Sequence, residues 1–182
     1  MKAYLIRHAK SSGQPREAPL SDEGRAQADA LIPVLQALEA GPIFSSPYRR
    51  AMDTLAPYAN SSGQEMTTIE DLRERHLSPV PLPDWEDHIR ASFKDPDHCA
   101  PGGESHRDLM RRWTEALSHI SAAQGRPVFA THGGMTAALF HDLDPSFGFD
   151  GWKSLSNPDL YALTLKGPRL IRFERLNLEV FS

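Results

Sequence analysis

Short apolar runs that end abruptly in charged or polar residues recur along this chain, and they alternate with stretches of helical spacing. Lys2 to Arg7 is the first such run, the pattern of a buried strand that delivers residues from its C-terminal end. Ala9 to Leu20, mostly polar with Gly13, Pro15 and Pro19, reads as loop. Ser21 is a helix N-cap, with Asp22 and Glu23 in the first turn, and Leu31, Val34, Leu35 and Leu38 keep helical spacing. Pro33 falls inside that pattern and predicts a kink or an interruption. Pro42 to Ser45 is a second short strand, followed by a helix from Tyr48 to Asn60 that Pro57 should bend or end early. A third strand is expected at Met66 to Ile69.

From Leu72 to Gly103 the pattern is irregular, with Pro79, Pro81, Pro83, Pro96 and Pro101, and it leaves room for one short helix around Trp85 to Phe93. Helical spacing returns from Ser105 to Ala123 through Leu109, Trp113, Ala116, Leu117 and Ile120. Pro127 to Thr131 is a strand and Gly133 to Leu143 a helix. Leu160 to Leu165 and Leu170 to Phe173, joined across Lys-Gly-Pro, form a β-hairpin. Strands alternating with helices imply an α/β fold, a three-layer α/β/α sandwich with a mostly parallel central sheet and room for an antiparallel edge. The length fits a single unit, 1–182, with an irregular insertion at about 75–103. In such sheets sites gather at the C-terminal ends of strands, where Arg7, His8 and His132 fall.

Composition changes this picture little. Charged residues make up 24% and apolar residues 40%, ordinary for a globular chain, and the net charge of −4 argues against a nucleic-acid surface. Cys99 is the only cysteine, so no intramolecular disulfide is possible. Without a catalytic motif around it, Cys99 reads as a bystander thiol. The N-terminal apolar run is too short for a signal peptide, and no stretch approaches the ~18 apolar residues of a membrane span. A cytoplasmic protein with no membrane association is expected.

Four polar clusters lie just past apolar segments, so one rim of a parallel sheet could present them together. They are Leu-Ile-Arg-His-Ala (5–9), Ser-Ser-Pro-Tyr-Arg-Arg-Ala (45–51), Leu-Arg-Glu-Arg-His (72–76) and Ala-Thr-His-Gly-Gly (130–134). Phosphoryl transfer needs a nucleophile, cationic donors for the phosphoryl oxygens and a proton source for the leaving group. Imidazole, guanidinium and carboxyl groups in these clusters supply all three. Each residue also has a plainer reading. His8 and His132 could be structural, Arg50 could pair on a helix surface with Asp53, and Glu74 lies in a charge-dense stretch that is solvated by default. His76, His88, His98 and His106 match no standard ligand spacing and read as scattered surface histidines rather than a metal site. Gly102-Gly103-Glu104-Ser105 reads as a turn and helix cap rather than a ligand contact.

In this order the four segments resemble the histidine phosphatase superfamily. Pro19-Leu20-Ser21-x-x-Gly24-x-x-Gln27-Ala28 and Gly102-Gly103-Glu104-Ser105 are also similar to family segments. The resemblance implies that His8 is the phosphorylated nucleophile and Glu74 the general acid. It implies that Arg7, Arg50 and His132 bind the phosphoryl oxygens, and that neither a metal nor a cofactor is needed. Two positions depart from the family pattern. Ala9 stands where the familiar tripeptide has glycine, and Leu77-Ser78-Pro79 replaces a glycine-containing continuation after the acidic residue. The resembled phosphoglycerate mutases carry a larger insertion than the roughly thirty residues between Glu74 and Gly102. The expectation is therefore a phosphomonoesterase acting on a small phosphorylated metabolite. A mutase-type phosphotransferase and a non-catalytic phosphate-binding protein are the alternatives.

Overall fold

The computed structural model describes residues 1–178; residues 179–182 of the expected single unit lie outside the described residues. Strand β1 (Lys2–Arg7) is buried from Ala3 to Ile6, and alternate side chains serve two different cores. That is why it reads as a continuous apolar run rather than an alternating one. Helix α1 (Asp22–Ala37), strand β2 (Ile43–Ser45), helix α2 (Arg49–Ser62) and strand β3 (Met66–Thr68) follow, then a single 3₁₀ turn at Glu70–Leu72. Helix α3 (Trp85–Ser92) precedes α4 (His106–Ala122), β4 (Val128–Thr131), α5 (Gly133–Leu143), α6 (Phe149–Lys153), β5 (Asp159–Lys166) and β6 (Arg169–Arg175).

The strand order is β3-β2-β4-β1-β5-β6. The first four run parallel, and β5 joins β1 antiparallel with β6 completing a hairpin at the edge. On one face Ala3, Leu5, Phe44 and Phe129 pack with Leu109, Trp113 and Leu117 of α4 and Met135, Leu139 and Phe140 of α5. On the other, Tyr4, Ile6, Ile43 and Val128 pack with Leu31, Val34 and Leu35 of α1 and Leu55 and Tyr58 of α2. This is the expected three-layer arrangement, with the parallel strands in the middle and the hairpin as its antiparallel edge.

Neither proline interrupts or ends its helix early, and that part of each expectation is corrected. Helix α1 continues through Pro33, and α2 continues through Pro57 to Ser62. Pro33 is exposed, as is Asp29, whose carbonyl loses its helical partner to the missing N–H, so water can satisfy that oxygen. Packing of Leu31, Val34 and Leu35 on the sheet then carries the helix through. Helix α2 stops instead at Gly63, which takes the left-handed conformation (φ 66°) and bonds its N–H back to the Ala59 carbonyl.

The caps agree with the sequence. The Ser21 hydroxyl accepts from the Gly24 N–H, and Ser105 forms a reciprocal capping box with Asp108. The loop before α1 is folded back on the helix. Ser11 bridges to Leu20, Ser21 N–H donates to the Lys10 carbonyl, and Lys10 N–H donates to Gln27. Gly24 sits beneath this crossing, and a Cβ there would overlap the Lys10 backbone carbonyl. In an open helix Gly→Ala stabilises by about 1 kcal/mol. Gly24→Ala is expected instead to destabilise by about 1–3 kcal/mol in urea unfolding, because overpacking against backbone cannot relax. Gly148, with open space around a Cβ, is the control, and its alanine variant should stay within about 0.5 kcal/mol of the parent.

Candidate active site

His8 is the first residue beyond β1, and its backbone is fixed from two sides. Its N–H donates to the Thr131 carbonyl of β4 at 3.0 Å, and its carbonyl accepts from the Asn157 side chain at 2.6 Å. The ring Nδ1 lies 2.7 Å from the Ala9 carbonyl. A carbonyl can only accept, so Nδ1 carries the hydrogen and Nε2 keeps a lone pair. That lone pair accepts from Nε of Arg50 at 3.1 Å. Burial pushes the His8 pKa down to about 3, and Arg50 and Arg7 push the same way; the Ala9 hydrogen bond only partly opposes them. The imidazole is therefore neutral at ordinary pH. Ala9 fits because its methyl packs with Leu20 and Ala28, and its N–H donates to Thr54 Oγ1 at 2.9 Å.

Arg50 lies in the first turn of α2 and turns inward, while its neighbour Arg49 pairs with Asp53 on the surface at 3.4 Å. Nη1 of Arg50 donates to the Gln14 and Pro15 carbonyls at 2.9 and 3.0 Å, and its guanidinium lies 4.9 Å from the Tyr48 ring centroid. Arg7, at the end of β1, donates to the Leu155 carbonyl at 2.7 Å, and its Nε is buried without a hydrogen-bond partner. Burial lowers the pKa of both arginines.

His132 caps α5 and is fully buried, its ring centroid 5.1 Å from that of His8. Its Nε2 is 2.8 Å from Ser46 Oγ, and its Nδ1 has no partner. Burial holds its pKa well below the usual value, and His8, Arg50, Arg112 and Arg7 add to the effect. The carboxylate of Glu74 accepts from the N–H groups of Arg75 (2.8 Å) and Gly134 (3.3 Å). The two glycines after His132 have distinct jobs. A Cβ on Gly133 would lie 3.2 Å from Arg7 Nε, and one on Gly134 only 2.6 Å from a Glu74 oxygen.

The structure thus brings His8, Arg7, Arg50, His132 and Glu74 to one rim of the sheet, where Arg7, Arg50 and Glu74 line a cleft of about 510 Å³ and His8 and His132 lie buried beside them. Several neighbours carried no individual signal in the sequence. Ser46 and Gly134 lie inside matched segments, whereas Thr54 and Asn157 reach His8 and Ala9 from elements that only the fold brings close. Glu104 does more than precede a cap. It takes a bidentate bond from Arg73 (3.0 and 2.9 Å), accepts from Arg112 Nη2 (2.9 Å) and from the His76 N–H (2.8 Å). Burial disfavours its charge, but Arg73, His76 and Arg112 together hold its pKa below the ordinary carboxylate value.

The histidine expectation is corrected in part. His76 is exposed, but His106 is buried, and His88 and His98 stack with ring nitrogens 3.0 Å apart. Among the described residues no three His, Cys, Asp or Glu side chains group as a metal site would require. Cys99 is exposed. Among the described residues no helix is long and apolar enough to cross a membrane.

Known proteins resemble this chain in sequence and fold. A glucosyl-3-phosphoglycerate phosphatase of Mycolicibacterium vanbaalenii is 34% identical over 144 residues, 68% of this chain and 62% of the relative. Its counterpart in Mycobacterium tuberculosis is 30% identical over 145 residues, 68% of this chain and 63% of the relative. The chain thus spans a little over three fifths of the length of these curated relatives. A solved mycobacterial glucosyl-3-phosphoglycerate phosphatase, complexed with VO3, superposes with a TM-score of 0.76 at 26% identity, covering 97% of this chain and 98% of that one. The model of the histidine phosphatase superfamily, branch 1, matches residues 3–177. With the Arg-His pair of β1 and the Thr-His-Gly-Gly end of β4 side by side in the sheet, the chain belongs to that superfamily.

Proposed function

We propose that the protein is a metal-independent phosphomonoesterase that works through a phosphohistidine on His8. One observation carries the reading: a neutral imidazole whose hydrogen is fixed on Nδ1 and whose Nε2 lone pair faces a buried guanidinium. An imidazole in that state is a nucleophile. The curated relatives, named as phosphatases of glucosyl-3-phosphoglycerate, favour a small phosphorylated metabolite as substrate.

In the first step Nε2 attacks phosphorus, the ester P–O bond breaks, and the leaving oxygen takes the proton of the Glu74 carboxyl group. In the second, a water molecule gives its proton to the Glu74 carboxylate and attacks the phosphohistidine. The N–P bond breaks, the lone pair returns to Nε2, and inorganic phosphate leaves. Arg50 loses its acceptor when Nε2 binds phosphorus, so its donors pass to the phosphoryl oxygens together with those of Arg7. The Ser46 hydroxyl already accepts from the Tyr48 N–H at 3.2 Å. Donating its own hydrogen to His132 Nε2 leaves the His132 hydrogen on Nδ1, free to bond a third phosphoryl oxygen. Donors fixed in a dry site stabilise the spreading charge of the transition state without reorganising.

Three outcomes test the proposal. His8→Ala should abolish phosphate release from p-nitrophenyl phosphate, whereas the parent should keep full activity in EDTA. Unchanged release by the variant would overturn the assignment, and transfer between positions of a phosphoglycerate without free phosphate would mark a mutase. Glu74→Gln should slow alkyl phosphates by about 10²–10⁴-fold but p-nitrophenyl phosphate much less, because only the poor leaving group needs the proton. A base with a depressed pKa is available at every pH above it. The His8 ring resonances should therefore not titrate between pH 5 and 8 in a nuclear magnetic resonance titration. A midpoint near 6.5 would mean that His8 is solvated.

A further inference from the structure

Beyond the phosphate end, the cleft changes character. Past Glu74 it is lined by Leu77, Trp85, Ile89, Phe93, Ala138 and Trp152. Trp85 comes from α3 and Trp152 from α6, and their rings meet edge to face with centroids 5.8 Å apart. The two elements are held together by more than that contact. Lys153 pairs with Glu86 at 3.0 Å, and the Arg90 guanidinium lies 3.7 Å from the Phe149 ring centroid. The aromatic wall is therefore a built feature, although 40% of Trp85 stays in contact with water.

The strongest polar group at this end is already committed. Arg75 also lines the cleft, but its guanidinium donates to the Glu104 carbonyl (3.1 and 2.9 Å) and to Ser92 Oγ (2.7 Å). Ser92 Oγ in turn donates to the Ile89 carbonyl at 2.8 Å. Besides Arg7, Arg50 and Glu74 at the phosphate end, Tyr48, His76 and His106 are the other titratable groups lining the space, with Gln14 as a further polar side chain; His76 is exposed, and His106 has its pKa lowered first by burial and then by His141. A polyhydroxylated leaving group such as a sugar needs a partner for each hydroxyl that it buries, and such partners are few here. An apolar group needs only surface.

We propose that Trp85, Ile89 and Phe93 along α3, together with Trp152 of α6, form a subsite for an extended apolar leaving group, so that the preferred substrates are monophosphate esters of apolar alcohols. This deepens the phosphomonoesterase reading and rests on it for turnover, but binding to the wall can be measured separately. Unbranched alkyl phosphates share one leaving-group chemistry, so their rates differ mainly through contact with the wall. Each fully buried methylene is worth about fourfold, and partial burial of four should raise kcat/KM at least about tenfold from ethyl to hexyl phosphate. Trp85→Ala should shrink that ratio severalfold, and Trp85→Phe, which keeps an aromatic surface and guards against a folding defect, should restore much of it.

The matching alkylphosphonates, which cannot be hydrolysed, read the same subsite by calorimetry. Their Kd should tighten by a similar factor from ethyl to hexyl in the parent and less in Trp85→Ala. A flat series in both rate and Kd, or a preference for glycerol 3-phosphate over hexyl phosphate, overturns the subsite. Phosphonates that tighten with length while no ester is hydrolysed would uphold the subsite and refute the phosphatase activity.

Discussion

The hydrogen bond from His8 Nδ1 to the carbonyl of the next residue sets what this site can do. It costs no other side chain, and it decides which ring nitrogen carries the hydrogen and which keeps the lone pair. The arrangement survives only if that carbonyl stays in place. Thr131 and Asn157 hold the backbone of His8, and Thr54 holds the N–H of Ala9. Burial completes it. Protonating His8 would place a third positive charge beside Arg7 and Arg50 in a site that already desolvates both, so the neutral ring is the stable one. Packing of the sheet and its helices therefore has a chemical consequence. It removes the water that would otherwise let imidazole and guanidinium share the space as ordinary surface charges.

The Glu74 side of the site is organised differently, through charge rather than through regular structure. Residues between the 3₁₀ turn and α4 have little secondary structure apart from α3, yet Glu74 needs a fixed position. Glu104 supplies it by gathering Arg73, Arg112 and the His76 N–H, while Arg112 also donates to the carbonyls of Asp71 and Arg73. Removing one member of a buried set like this leaves an uncompensated charge, so the network acts as a unit. Thr131 adds a tie from the sheet, its hydroxyl donating to the Leu72 carbonyl at 2.8 Å. The irregular stretch is thus clamped at the Glu74 end and freer near Val80, which is 64% exposed.

How much of this the sequence made legible depends on whether the signal was periodic. β1, α1, α4 and the closing hairpin follow from apolar spacing and caps, because burial of one face selects one register. Pro33 and Pro57 do not stop their helices, since local propensity is a weaker force than the packing of Leu35 or Tyr58 in the core. Arg7, His8, Arg50, Glu74 and His132 stood out because each sits where a strand or helix end converts position along the chain into position in space. Asn157, Thr54 and the role of Glu104 did not, because their partners are distant in sequence and a single polar residue in a loop has no period. His106 was misplaced for the same reason, its ring meeting His141 of another helix edge to face.

The strand order has a consequence for how the chain reaches this state. β1 is a central strand, yet both of its neighbours come from far along the chain, Tyr4 pairing with Val128 on one side and Ala162 on the other. During synthesis β1 is made long before β4 or β5 and waits for more than a hundred residues before either edge is covered. Such long-range pairing slows folding and leaves the strand open to wrong partners meanwhile. Arg7 directly after the apolar run, with Lys2 before it, places a positive charge at each end of this unpaired apolar stretch. The same guanidinium that faces the cleft in the finished protein is thus, in the growing chain, a charge beside a strand whose two edges are still uncovered.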